Sequence, residues 1–319
     1  MEFCPALGIS IPVGKDSLSM ASRWQQDDES KAVVSPVSLV ISAFTPVTDV
    51  RRTLTPELNR QVAATLLLVD LSNGQNRLGG SALAQVFNQS GGQSADCDDP
   101  ALLANFAGFI IEARQQQLLL AYHDRSDGGL FTTLVEMAFA ARCGLDIDIK
   151  ALNRDNQLQS QLALLFAEEP GAVIQVADDQ LGLVKALAEK WGLGALLTPL
   201  GVVSSAAEVT IRRGPAPLLQ RSLMDLHQRW SSTSYQIRKL RDNPDLASQE
   251  FDRLTDATDP GLTPELTFVL ESPHSYKPKS AEPKPRVAIL REQGVNGHRE
   301  MAAAFDAAGF AAIDLHMSD

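Results

Sequence analysis

Chemistry-bearing residues are concentrated in the segment AYHDRSDGGLFTTLVEMAFAARCG, which begins at residue 121 and puts acids, a serine and two glycines before an apolar helical pattern. A helix N-terminus needs one capping residue, and Asp127 suits that position, so Asp124, Ser126, Gly128 and Gly129 exceed what a cap requires. Backbone amides at the positive end of a helix dipole favour phosphate. Glycines cost about 1 kcal/mol each against alanine in a helix, which makes sense where a ligand approaches the backbone closely.

Carboxylates beside such a site would repel phosphate unless a cation lies between them. Mg2+ takes one or two carboxylates together with phosphate oxygens. We therefore predict that Asp124 binds Mg2+, that Ser126 donates to a phosphate, and that Asp127, Gly128 and Gly129 complete the nucleotide contact. The alternative is a helix capped by Asp127 behind a solvated acidic loop, and this motif alone does not decide between the two.

Two other loops carry residues suited to phosphate. In VGKDSLS, Lys15, Asp16 and Ser17 follow a glycine and an apolar run, which favours a phosphate-facing turn, although the spacing differs from that of a Walker A loop. An ordinary solvated turn is the alternative. In NRLGGSAL, Gly79 and Gly80 precede a helical pattern. Close packing of that helix against a sheet explains this pair at least as well as a ligand does.

Composition limits the possible partners. The net charge of −11 and the pI of about 5.0 disfavour nucleic acid and anionic membrane surfaces as partners. The sequence has neither an apolar run of about 20 residues nor a secretory signal, so we expect a cytoplasmic protein. Cys4, Cys97 and Cys143 lie far apart, which argues against a zinc site and a disulfide framework. His123 is interpreted as a structural residue.

Strand and helix patterns alternate around the acidic loop. We predict strands in residues 8–20, 35–50, 64–72, 117–124 and 171–179, and helices in residues 99–117 and 180–192. The helix after the acidic loop is expected to end at Gly144. Residues 198–205 and 207–214 are expected to form a strand pair at the sheet edge. This order predicts an α+β or α/β layered core with helices on one face of a sheet.

Beyond Gly214 the pattern changes. Residues 217–243 predict an amphipathic helix, and the proline- and lysine-rich residues 272–285 predict a linker. From Arg286 a strand, a helix closed by Gly309 and a second strand form a β-α-β start. Two strands are too few for an independent parallel sheet, so we expect the polypeptide to continue beyond both ends of this segment.

Four segments, in this order, closely resemble the phosphoribosylformylglycinamidine synthase family in its large single-chain bacterial form: PALGISIPVGKDSLSM, LGGSALAQVF, HDRSDGGL and RVAILREQGVNGHREMAAAF. The resemblance implies a C–N ligase of de novo purine biosynthesis. Its substrates would be formylglycinamide ribonucleotide, glutamine and ATP, and its products formylglycinamidine ribonucleotide, glutamate, ADP and phosphate. The implied partners are those small molecules and the rest of the same polypeptide, with no nucleic acid and no membrane.

The implied fold is the end of a duplicated aminoimidazole ribonucleotide synthetase-like fold, followed by the first β-α-β unit of a triad glutaminase with a flavodoxin-like fold. By this resemblance, residues 1–60 end the N-terminal-type subdomain of the second synthetase repeat and residues 61–214 form its C-terminal-type subdomain. Residues 215–285 are the helical connection and linker, and residues 286–319 are the truncated start of the glutaminase domain.

The resemblance also implies the cofactors ATP or ADP and Mg2+, with Asp124 as metal ligand and Ser126 as nucleotide contact. The glutaminase cysteine, histidine and glutamate would lie beyond Asp319, because all three cysteines of the sequence precede Arg286. No catalytic residue is therefore assigned, and we expect this segment alone to lack complete catalysis.

Three alternatives stay open at this point. The acidic loop could belong to a non-catalytic scaffold half that holds a structural ADP and Mg2+. The chain could be a stand-alone aminoimidazole ribonucleotide or selenophosphate synthetase, although the linker and the glutaminase-like end argue against this. Residues Pro215–Asn243 could form an interaction module, although a solvated helix face explains their charges more simply.

Overall fold

The computed structural model describes residues 3–12, 14, 20–35, 38–152, 157–267 and 283–318. The chain divides into two compact units, Met1–Ala257 and Thr258–Asp319. Within the described residues, no helix combines the length and the apolar character needed to cross a bilayer.

The first unit contains eight α-helices and nine strands within its described residues. In chain order these are α1 (Phe3–Ala6), β1 (Ala21–Gln26), β2 (Glu29–Val34), β3 (Ala64–Asp70), α2 (Ala82–Val86), α3 (Pro100–Gln115), β4 (Ala121–Asp124), α4 (Gly129–Ala141), β5 (Gly144–Asp148), α5 (Leu158–Phe166), β6 (Gly171–Ala177), α6 (Leu181–Lys190), β7 (Leu197–Ser204), β8 (Glu208–Arg213), β9 (Ala216–Ser222), α7 (Leu223–Arg241) and α8 (Pro244–Asp252).

Seven strands form one mixed sheet in the order β4-β6-β3-β7-β5-β8-β9. Strand β6 pairs antiparallel with both β3 and β4, with Asp70 opposite Gly171 and Asp124 opposite Ala172. Strands β3 and β4 therefore run in the same direction and end at the same edge of the sheet. This edge is where the acidic loop begins.

Helices cover both faces of this sheet, so the expectation of helices on one face is wrong. Along β3, Leu66 and Leu68 pack with α4 and α5, whereas Leu67 and Val69 pack with α3 and α6. All four side chains are at most 1% exposed. Successive strand residues point to opposite faces, and a continuous apolar run is what a strand covered on both faces requires.

The N-terminal strand predictions are wrong for the described residues. Residues 38–49 contain no strand, and Leu39 and Phe44 in this stretch are 85% and 96% exposed. No strand forms in residues 8–12 either. A β1–β2 hairpin, with Ala21 opposite Val34, forms between these stretches. Apolar, β-branched residues satisfy a strand pattern without supplying a partner strand.

Three further predictions in the first unit need correction. Helix α4 ends before Gly144, because Arg142 adopts a left-handed conformation with φ of 49°, and Gly144 begins β5. Strands β7 and β8 do not pair with each other, since β5 lies between them. The predicted helix from residue 217 begins as strand β9, which pairs with β8, and α7 starts only at Leu223.

The second unit contains β10 (Arg286–Arg291), α9 (His298–Ala307) and β11 (Ala311–His316), and its two strands are parallel. The predicted β-α-β unit is confirmed, and Gly309 follows the helix with φ of 94°. Residues 272–282, most of the predicted linker, lie outside the described residues. The domain boundaries at residues 60, 214 and 285 stay a prediction.

Candidate functional site

Three predicted site residues lie exposed in the loop that joins β4 to α4. Asp124 is the last residue of β4, and Ser126 and Asp127 follow it with exposed side chains. Asp70, at the end of β3, lies at the same sheet edge. Asp70 and Asp124 thus end two strands of the same direction, with β6 between them.

The Asp124 carboxylate is oriented by a neighbouring phenol. The hydroxyl of Tyr122 donates to Asp124 Oδ1, and Oδ2 has no hydrogen-bond partner among the described residues. Burial, and then the hydrogen bond to this carboxylate, raise the pKa of Tyr122, so the phenol stays protonated and remains a donor. One Asp124 oxygen is therefore fixed, while the other is available to a ligand.

The start of α4 differs from the predicted cap. The N-cap is Gly128 rather than Asp127, and glycine has no side chain that could cap the helix. The Gly128 amide donates to Glu168 Oε1 at 2.8 Å, and the Gly129 amide donates to Ser126 O at 2.9 Å. Both amides are therefore occupied by acceptors within the chain. Their predicted contact with a nucleotide stays a prediction.

Packing within the chain explains the glycine pair. Gly128 and Gly129 adopt φ of 80° and 69°, values that side chains rarely tolerate. A Cβ on Gly129 would lie 2.7 Å from Phe166 C and 2.8 Å from Ala167 O. The close approach to this backbone is made by the end of α5, whereas the sequence interpretation assigned it to a ligand.

Glu168 and Glu169, which the sequence reasoning missed, connect several loops at this edge. Glu168 Oε1 accepts from the amides of both Ala82 and Gly128 at 2.8 Å. Glu169 is fully buried and binds Arg77 through the backbone amide, Nε and Nη2, at 2.7–2.8 Å. This hydrogen bonding raises the pKa of the Arg77 guanidinium, which stays charged.

Arg125, inside the acidic motif, is a buried structural residue. Its Nη2 donates to Asp70 Oδ1 at 2.6 Å and to Pro170 O at 2.8 Å, and its Nε donates to Glu169 O at 2.6 Å. Its Nη1 has no partner among the described residues. Because Asp70 neutralises this guanidinium, Arg125 adds no free positive charge to the loop.

The Gly79–Gly80 loop lies at the same edge as the acidic loop, since Ala82 and Gly128 share Glu168 as acceptor. The Gly79 amide donates to Gln93 O at 2.8 Å, and the Ser81 hydroxyl caps α2. A Cβ on Gly79 would lie 2.3 Å from Gly92 O, so close packing against a loop, not against a sheet, explains this glycine, whereas Gly80 is explained by its φ of 71°. Lys15, Asp16 and Ser17 lie outside the described residues, so their predicted contact with a nucleotide stays a prediction.

The donor set of the loop suits a cation that brings most of its own ligands. No group of three or more histidine, cysteine, aspartate or glutamate side chains in the described part of the chain could hold a metal ion. Asp124 and Asp127 offer at most two exposed carboxylates. Mg2+ binds proteins through one or two carboxylates and completes its shell with water and phosphate oxygens, so this set fits it.

Three parts of the chain match models of known protein families. Residues 1–46 match a family described as FGAR-AT PurM_N-like domain, and residues 65–213 match the C-terminal domain of AIR synthase related proteins. Residues 284–319 match the CobB/CobQ-like glutamine amidotransferase domain.

Solved structures match this chain with low sequence identity and low TM-scores. Thermotoga maritima PurL complexed with ATP is 10% identical over 61% of this chain and 28% of that one, with a TM-score of 0.43. The same protein complexed with FGAR is 11% identical over 62% and 30%, with a TM-score of 0.44. E. coli HypE, a hydrogenase maturation protein, is 20% identical over 53% and 51%, with a TM-score of 0.37. The chain thus spans less than a third of the length of these PurL chains.

Proposed function

We propose that this chain, a relative of the formylglycinamide ribonucleotide amidotransferases by its three ordered domain matches, forms part of an ATP-dependent ligase of purine biosynthesis. The reaction would convert formylglycinamide ribonucleotide, glutamine and ATP to formylglycinamidine ribonucleotide, glutamate, ADP and phosphate. The observation that carries this proposal is the synthetase-type domain followed by a glutaminase-type domain in one polypeptide. Because the proposed substrates are small soluble molecules, we expect such an enzyme in the cytoplasm.

Within that enzyme, the β4–α4 loop would contact a magnesium-bound nucleotide. Asp124 would hold the ion through the carboxylate oxygen that Tyr122 leaves unoccupied, and Ser126 would donate to a phosphate oxygen. Bound Mg2+ would neutralise phosphate charge, which phosphoryl transfer requires. Asp127 lies exposed beside both residues and would complete the contact.

The surrounding residues would hold the loop in position. Thr133 Oγ1 donates to the backbone oxygens of Asp124 and Gly129, at 3.2 and 3.0 Å, and so ties the end of β4 to the first turn of α4. Thr133 is only 1% exposed, so this contact is shielded from water. The exposed acids thus project from a backbone fixed by the core.

The first test is calorimetric titration of the intact protein with Mg·ADP, after a denatured sample has been assayed for co-purified nucleotide. Asp124→Asn should weaken binding at least tenfold, and chelation of Mg2+ with EDTA should abolish it. Asp179→Asn is the matched control, because Asp179 is an exposed acid beyond the opposite end of β6. Equal loss in both variants, or no loss in Asp124→Asn, would contradict the assignment of the loop.

The second test separates turnover from retention of the nucleotide. ADP release should require formylglycinamide ribonucleotide together with glutamine or ammonia, and release indifferent to both would overturn the proposed reaction. One co-purified nucleotide per chain, lost in Asp124→Asn together with thermal stability but not turnover, would instead support the scaffold role. In that case the site would hold its nucleotide without consuming it.

A further inference from the structure

We propose that Glu168 is a positioning residue that couples the two glycine loops, residues 79–82 and 128–129, into a single unit. This inference rests on the proposed function, because it assigns the coupling a role in nucleotide binding. One atom carries it: Glu168 Oε1 accepts from the Ala82 amide and from the Gly128 amide, each at 2.8 Å. The two donors are 86 and 40 residues from Glu168 along the chain.

The carboxylate lies where both helices begin. Ala82 is the first residue of α2, and Gly128 is the N-cap of α4. Negative charge is favourable at a helix N-terminus, and hydrogen bonds from amides to an ionised carboxylate are stronger than neutral ones. A single side chain therefore satisfies one amide from each loop and holds the two loops at a fixed separation.

The backbone on the C-terminal side of Glu168 is anchored by buried contacts. Glu169 binds Arg77 through three nitrogens, and its carbonyl oxygen accepts from Arg125. Pro170 O accepts from Arg125 Nη2 at 2.8 Å and from the Leu71 amide at 3.1 Å. These contacts fix residues 169–170. The Glu168 carboxylate is therefore held in place and does not move with either loop alone.

The coupling bears on the exposed acids of the loop. Gly128 is next to Asp127 and two residues from Ser126, so the position of its amide sets the path of the segment that carries them. Without the carboxylate, the Ala82 and Gly128 amides both lose their acceptor, and no common side chain then links the two loops. Nucleotide affinity should fall even though no predicted ligand has been changed.

The experiment measures amide hydrogen exchange and Mg·ADP affinity in the intact protein. In Glu168→Ala, protection of the Ala82 and Gly128 amides should fall together by at least tenfold in the absence of nucleotide, and the Kd for Mg·ADP should rise at least tenfold. Glu168→Gln keeps an acceptor oxygen and should retain most of both. Glu208→Ala removes an acid on β8 that binds the exposed Gln220, and it should change neither quantity.

Each outcome bears on one claim. Loss of protection at only one amide, or at neither, would overturn the coupling. Joint loss with an unchanged Kd would overturn the positioning role and leave Glu168 as a structural contact. Wild-type protein that binds no Mg·ADP would overturn the proposed function, while the exchange result would still decide the coupling. If Glu168→Ala does not fold, Glu168→Asp applies the same test, because its shorter side chain should not reach both amides.

Discussion

Replacing Gly129 by alanine distinguishes two reasons for the glycine pair, packing within the chain and approach of a ligand. The new Cβ would lie 2.7 Å from Phe166 C and 2.8 Å from Ala167 O. Both distances are shorter than a Cβ normally keeps from a non-bonded atom. These atoms belong to the backbone at the end of α5, so they cannot move away as the tip of a flexible side chain can. The residue would also have to keep φ of 69°.

The magnitude follows from these two terms. The left-handed conformation costs a residue with a Cβ roughly 1–2 kcal/mol, and forcing extra volume into a packed site costs roughly 1–3 kcal/mol. Their sum, roughly 2–5 kcal/mol, corresponds to a Tm lower by roughly 4–20 °C, at about 2–4 °C per kcal/mol for a domain of this size. Gly182→Ala is the matched control, since Gly182 has nothing within 4 Å of its Cβ position and lies in α6. It should be stabilising by about 0.5–1 kcal/mol.

The assay is thermal unfolding of both variants without nucleotide, followed by Mg·ADP titration. A Tm for Gly129→Ala equal to that of the wild type would refute the packing argument. If that variant kept its Tm and lost nucleotide affinity, the glycine would serve the approach of a ligand. A lower Tm in Gly129→Ala and a higher one in Gly182→Ala would support packing as the reason for the glycine.

Three further predictions concern stability. Leu134→Ala on α4 removes a side chain that is 0% exposed and should cost about 2–5 kcal/mol in urea unfolding; an unchanged midpoint would contradict the core assignment. Burial and then Arg142 lower the pKa of His227, which stacks on Phe139 at 4.4 Å, so its contribution is present above about pH 6.5 and lost as the pH falls. His227→Phe should therefore flatten the fall in stability between about pH 7 and 5, and an identical slope would count against this. Gln117→Gly relieves φ of 57° after α3 and should stabilise by about 0.5–1 kcal/mol; a lower Tm would exclude strain there.

Local signals predicted the elements whose stability is mainly local. Helix α3 begins next to Asp99, where the predicted helix starts. The Asp99 carboxylate caps it by accepting from the amides of Ala101 and Leu102 at 2.9 and 3.2 Å. The continuous apolar run in β3 predicted a buried strand, and the same apolar side chains fill the core on both faces of the sheet. Such elements depend on caps and periodicity that a single sequence contains.

Strand order was not predictable, because it depends on partners distant in sequence. The short strand β5 was missed, although Leu145 and Ile147 alternate with Asp146 and Asp148. Its insertion between β7 and β8 is held in part by Arg212, whose Nε and Nη1 bind those two aspartates at 2.8 Å. No local pattern indicates that these acids and this arginine, some 65 residues apart, belong together.

The candidate site divides in the same way. The exposure of Asp124, Ser126 and Asp127 follows from their place in a loop between a strand and a helix, so the motif was sufficient to predict that exposure. Glu168 and its acceptor role were not predictable, because the contact with Gly128 joins residues 40 positions apart and Glu168 has no distinctive spacing. The sequence therefore identified exposed residues of the loop and missed the carboxylate that accepts from two loop amides.

The case for a bound divalent cation at this edge rests on the charges of the side chains rather than on the backbone amides. Two arginines at this edge are already neutralised, Arg77 by a buried glutamate and Arg125 by Asp70 at 2.6 Å. The loop itself then exposes Asp124 and Asp127, so a phosphate would meet negative charge, and both Arg77 and Arg125 are already paired. The amides invoked from the sequence are occupied within the chain. In the proposed function, Mg2+ held by Asp124 would offset this repulsion, and titration with and without the ion tests that prediction.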